Sequence, residues 1–246
     1  MNSNPIFSPF WTFTNSPIDY FLFALFAIFL ILIFTLQTQK RNIKGYSPRL
    51  AWIRGGIYFA SCFILSIFTG VFQTLISKPI AASENFSNIY WWIFTFVCAV
   101  VIYIAYFIIW RRGTLTHGRE LHIPSVLTFG LLWGLSEGQL ILSVWAIVEK
   151  FVSNIWFVAL VSFLIISAFK GLWQSQYWDI YVSPEHNIPE WNLRKVLLGH
   201  IPNLMFTLTY LAIFGNAFIF LLFQTTGLMI CTYYMHFPKW TVDERP

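Results

Sequence analysis

Residues 130–142 read GLLWGLSEGQLIL, and the fold turns on how Glu137 sits in that run. The run lies inside an apolar stretch from 124 to 147, longer than the roughly 20 residues needed to cross a bilayer. A charged side chain at the centre of such a stretch costs about 2.5–3.5 kcal/mol on insertion scales, so by default it is read as functional. Gly130, Gly134 and Gly138 recur every four residues, a small-xxx-small pattern that lets a second helix approach closely. Glu137 follows Gly130 by nearly two turns, about 20° away on the helical wheel, and is expected to face that second helix and not lipid.

The rest of the composition agrees with a bilayer setting. Of 246 residues 57% are hydrophobic, 20% aromatic and only 10% charged, with a mean hydropathy of +0.65. Water-soluble domains carry about 25% charged residues. The expected fold is therefore all-α, a polytopic integral membrane protein forming a single transmembrane domain over 1–246. A net charge of +5 raises nucleic acid as a partner, but the basic residues form no stripe and read as topology signals, so no nucleic-acid partner is expected. Cys62, Cys98 and Cys231 have no CxxC spacing and read as apolar packing residues. No basic region precedes the first apolar run and no small-residue cleavage site follows it, so the first span is expected to be retained.

Seven spans are expected, at about 18–37, 55–77, 89–110, 124–147, 153–176, 196–214 and 217–236. The last two are separated only by Gly215-Asn216 and can also be drawn as one interrupted block. With the N-terminus outside and the C-terminus cytoplasmic, 13 of the 15 lysines and arginines fall on the inner side, leaving Lys78 and Lys150 outside. The longest segment between spans, 176–195, mixes aromatic residues with Asp179, Glu185, His186 and Glu190. All five histidines, His117, His122, His186, His200 and His236, lie toward the inner side in this arrangement.

Helical spacing then sorts the polar side chains by face. His200, Asn203, Thr207 and Tyr210 share an arc of about 80° in the sixth span, as do Ser167, Lys170, Gln174 and Tyr177 in the fifth. Cys62, Ser66, Thr69 and Gln73 behave similarly in the second. Short connections between successive spans make spans four to six expected neighbours, with one polar pocket opening toward the cytoplasmic leaflet.

Within that pocket Glu137 is the candidate acid or base and His200 the candidate proton shuttle, both in catalytic roles. Asn203, Thr207, Tyr210, Lys170, Gln174 and Tyr177 are candidate ligand-binding residues. Lys170 reads first as a side chain snorkelling to the interface, and alternatively as a counter-ion for Glu137. The candidate metal ligands are Glu137, His200, His122, His186 and Asp179, although no HExxH or HxxxH spacing supports them. A metal is thus a possible cofactor of unknown identity. No GxxxxGK[ST] motif occurs, and no lysine in the last span is available for a retinal Schiff base.

Three functions remain. The first is a membrane-embedded enzyme or binding protein for a lipid-like hydrophobic molecule. The second is a small transporter or proton-coupled carrier, against which no pair of Gly- or Pro-interrupted helices stands out. The third is an accessory subunit in which stripes and glycines serve packing alone. Membrane lipid is an expected partner, and a homo-oligomer or a larger membrane complex is compatible with each.

Overall fold

The computed structural model describes residues 6–7, 17, 19, 48–78, 83–112, 119–170 and 194–239. Apart from Asp19, the expected first span falls outside the described residues, as do Gln174, Tyr177, Asp179, His186 and His117. The described elements are all helical: α1 (Pro48–Phe68), α2 (Val71–Ser77), α3 (Ser83–Ser87), α4 (Ile89–Ile104), α5 (Ile123–Phe151), α6 (Ile155–Phe169), α7 (Ile201–Phe214) and α8 (Ala217–Tyr234). Two wide π-helical turns extend them, Ala105–Trp110 at the end of α4 and Val196–His200 before α7. Among the described residues five helical segments are long and apolar enough to cross a membrane: Ala51–Phe68, Ile89–Trp110, Ile123–Phe151, Val196–Phe214 and Ala217–Tyr234.

Local chemistry sets the boundaries. Asn88, Asn154 and Asn216 each turn a side-chain oxygen onto a free backbone N–H of the helix that follows, at 3.0 Å for Tyr90, Trp156 and Ile219. His122 does the same for α5, its Nδ1 accepting from the Ser125 N–H at 3.2 Å. Gly215 ends α7 in the left-handed conformation, φ 61°, and its N–H bonds to the Leu211 carbonyl. The apolar block 196–236 is thereby two helices and not one.

The second expected span is corrected. It is broken into α1 and α2 at Gly70, which takes φ 75° and bonds back to Ile67 O, while the Thr69 hydroxyl donates to Leu65 O at 2.9 Å. Only glycine adopts that backbone at no steric cost. The wide turn before α7 has a cause in Pro202. Proline has no N–H to give and its ring crowds the carbonyl four residues back. Accordingly the Ile201 N–H reaches five residues back, to Val196 O.

α5 is the most buried of the five long segments and runs through the middle, with α1, α6 and α8 against it. Its glycines permit the closest of these contacts. A Cβ on Gly134 would lie 2.5 Å from Thr225 Cα, and one on Gly130 2.5 Å from Thr232 Oγ1 and 2.8 Å from Met229 Cα. The helix admitted by the glycine stripe is thus α8. α7 lies against α4, α6 and α8, so it joins α5 through its neighbours.

Both ends of the bundle are tied. At one, the Ile6 N–H donates to Glu149 Oε1 at 3.0 Å, Lys78 Nζ donates to Ile6 O at 2.9 Å, and Asp19 acts on Lys150. At the other, Phe237 stacks on Phe129 at 3.7 Å and Trp52 Nε1 donates to Pro238 O at 3.0 Å, which anchors the chain beyond α8.

Candidate functional site

Asn203, on α7, is 1% exposed, and a buried amide must find partners within the protein. Its Nδ2 donates to Tyr106 Oη at 2.8 Å, and its Oδ1 accepts from Gln224 Nε2 at 3.5 Å. The same Gln224 amide donates to Thr207 Oγ1 at 3.1 Å, and that hydroxyl donates to Asn203 O at 2.7 Å. One network therefore joins the end of α4, α7 and α8, and every member of it is buried. Tyr106 accepts through its oxygen and keeps its O–H proton to give. Gln224 Oε1 is buried without a hydrogen-bond partner, an acceptor that has lost water and gained nothing.

Beside this network Glu137 on α5 forms an ion pair with Lys170, which follows the last residue of α6. The glutamate is 1% exposed and the lysine 11%. Lys170 thus turns inward to the carboxylate, which replaces the snorkelling expectation with the counter-ion one. Burial makes the pair necessary, since either charge alone would lack both water and partner. Glu137 and Lys170 both act electrostatically on Cys231 of α8, and Glu137 also acts on Tyr106, so ion pair and network adjoin.

The two π-helical turns pack on each other, and each ends in a ring. The Trp110 and His200 rings meet edge to face, centroids 4.9 Å apart at 83°, and Lys195 Nζ stands 4.7 Å from the centroid of the Trp110 ring. That is cation–π distance. His200 Nδ1 is buried with no hydrogen-bond partner, and the charges of Lys170 and Lys195 both act on this imidazole. Lys195 itself, just ahead of the Val196–Phe214 segment, is lowered by burial to about 8.

The expected site residues separate into groups. Glu137 pairs with Lys170, Asn203 and Thr207 share one network, and His200 packs on Trp110. Tyr210 is fully buried a turn further along α7, in aromatic packing with Phe94 and Phe223, with Thr95 Oγ1 donating to it at a long 3.5 Å. His122 spends its ring capping α5 and bonding Ser125 Oγ at 2.7 Å. Among the described residues no three histidine, cysteine, aspartate or glutamate side chains stand close enough to share a metal ion.

Tyr106, Trp110, Lys195 and Gln224 were not anticipated as site residues. For Gln224 a signal existed, since Gln224, Gly227 and Cys231 follow one another at i, i+3 and i+7 on α8. Cys231 and Gln224 are buried, and Gly227 receives the Tyr106 ring. In chemical terms the site offers a hydroxyl donor, an amide acceptor, an imidazole nitrogen, a carboxylate and ammonium groups within a helical bundle. Compared with known proteins, the chain matches no family model, no curated protein and no solved structure.

Proposed function

We propose that the chain is a multi-pass integral membrane protein that binds a lipid-like hydrophobic molecule in a polar cleft opening toward the cytoplasmic leaflet. In this reading seven spans form a single domain, the N-terminus lies outside and the C-terminus in the cytoplasm. The observation that carries it is a buried polar network and ion pair inside a bundle with an apolar exterior. Phe96, Leu160 and Ile165 are large side chains left exposed on α4 and α6, as lipid-facing residues are. The two basic residues on the outer side, Lys78 and Lys150, are engaged by Ile6 O and by Asp19, which softens the only exceptions to the charge rule.

A site for such a molecule is typically apolar with a few convergent polar groups that fix its orientation. Asn203, Thr207, Gln224 and Tyr106 would orient the polar end of the ligand. Glu137 and His200 would act as acid and base if the molecule is turned over. The test is to purify the protein in a non-ionic detergent, extract what copurifies and identify it by mass spectrometry. A defined amphiphile at near one per chain is expected from wild type and is expected to be lost from Glu137→Gln, which should still insert into membranes. Full retention by inserted Glu137→Gln would remove Glu137 from the site.

A second reading is favoured by one feature. The break at Gly70 gives one interrupted helix, the element from which transporters build substrate sites. Alternating access would then make cysteines placed at Gln73 and Asn203 reactive from opposite faces in turn. Labelling of both from one face alone would exclude it.

A further inference from the structure

Ile6 and Phe7 lie outside every helix, yet the ends of several helices hold them. The Ile6 N–H donates to Glu149 Oε1, near the end of α5, at 3.0 Å, and its carbonyl accepts from Lys78 Nζ, just past α2, at 2.9 Å. The Phe7 N–H and the Lys78 ammonium also act on the Glu149 carboxylate. The Ile6 side chain lies against the turn between α7 and α8, where a Cβ on Gly215 would stand 3.8 Å from Ile6 Cγ1. Phe7 is 2% exposed and belongs to the hydrophobic core. One residue thus staples the end of α2 to the end of α5, with both its backbone polar groups bonded to charged side chains.

Gly70 sets what that staple restrains. Before the break the chain is pinned to α5, Thr69 Oγ1 donating to Ser143 Oγ at 3.1 Å. After it comes α2, seven residues whose far end is tied through Lys78 to Ile6. Between the two stands a glycine at φ 75°, a residue that changes backbone conformation without steric cost. The Lys78 contact is exposed, and an ammonium in water loses little on letting go. On α2 itself the side-chain oxygen of Gln73 is buried with no hydrogen-bond partner, a cost of this arrangement that contact with water would remove. A hinge at one end, a weak tie at the other and an unsatisfied acceptor between them describe a segment able to open as a unit.

We propose that Ile6–Phe7 is a latch that keeps α2 against α5, and that its release lets α2 turn about Gly70 and opens this end of the bundle to water. In the topology proposed above this is the outer end, so the latch decides whether the interior is reached from outside. The inference concerns access and holds whichever molecule the interior binds.

Hydrogen–deuterium exchange of the full chain in phosphocholine nanodiscs, read by peptide mass spectrometry, tests it. In wild type the amides of 71–77 are expected to exchange together and faster than those of α5 and α8. Glu149→Ala removes the acceptor of the Ile6 N–H and should speed exchange of 71–77 about tenfold, the worth of one hydrogen bond to a charged group, with α8 unchanged. Glu149→Gln keeps an acceptor oxygen and should restore most of the wild-type rate, while Lys78→Ala should act in the same direction as Glu149→Ala. Exchange of 71–77 as slow as that of α5 in wild type, or unmoved by both alanine variants, would overturn the latch. A rise spread evenly over α5, α7 and α8 would also overturn it, since Ile6–Phe7 would then be part of the core and not a separable tie. The wild-type comparison stands even if a variant fails to fold.

Discussion

Replacing Lys170 with methionine removes one ammonium and leaves Glu137, 1% exposed, facing the space it occupied. Breaking a buried pair from one side costs about 3–5 kcal/mol, because the surviving charge has neither water nor partner. A glutamate can escape part of that cost by taking up a proton, which places Lys170→Met near about 3 kcal/mol. For a chain of this size each kcal/mol lowers the melting midpoint by about 2–4 °C, so the expected fall is about 6–12 °C. Removing both charges behaves differently. Glu137→Leu with Lys170→Met leaves no orphan, and such replacements are often neutral or stabilising, so the double variant should return to within about 1 kcal/mol of wild type. Thermal unfolding in detergent, followed by circular dichroism for the wild type, both single variants and the double variant, measures all four corners. Should Lys170→Met melt with wild type, or should the two single losses simply add, the ion pair is not what holds Glu137.

Two further outcomes follow from the geometry. Gly134→Ala places a methyl 2.5 Å from Thr225 Cα, so α8 must move away and the midpoint should fall by the equivalent of about 1–3 kcal/mol; Gly56→Ala, with nothing within 4 Å, should leave it unchanged or slightly higher. Gly70→Ala puts a side chain on a residue with φ 75° and should cost about 1–2 kcal/mol in the same assay.

Some of this was legible in the sequence because it depends on spacing within straight helices. The glycine stripe needs only the period of α5, and Asn203 and Thr207 lie one turn apart on α7 and share a face in the structure as on the wheel. Other features depend on departures from that period. Tyr106 and Trp110 lie on a π-helical turn, where 100° per residue no longer applies, and the same holds for His200 relative to Asn203. Gly70 was visible as a glycine, but its left-handed backbone shows only once α1 and α2 are seen to part there. Lys170 illustrates a different limit. Snorkelling outward and pairing inward use the same residue at the same depth, and only the position of Glu137 on a neighbouring helix decides between them.

Photolabelling tests the central claim most directly, that an amphiphile binds at the polar network around Asn203 and the Glu137–Lys170 pair. A single-chain carboxylate carrying a diazirine near its headgroup would be equilibrated with the protein in phosphocholine nanodiscs, irradiated, and its attachment points mapped by peptide mass spectrometry. Labels concentrated on 105–110 and 195–203, and displaced by excess unlabelled oleate, are predicted. Labels confined to the exposed apolar faces of α4 and α6, around Phe96 and Leu160, and insensitive to competitor, would contradict it.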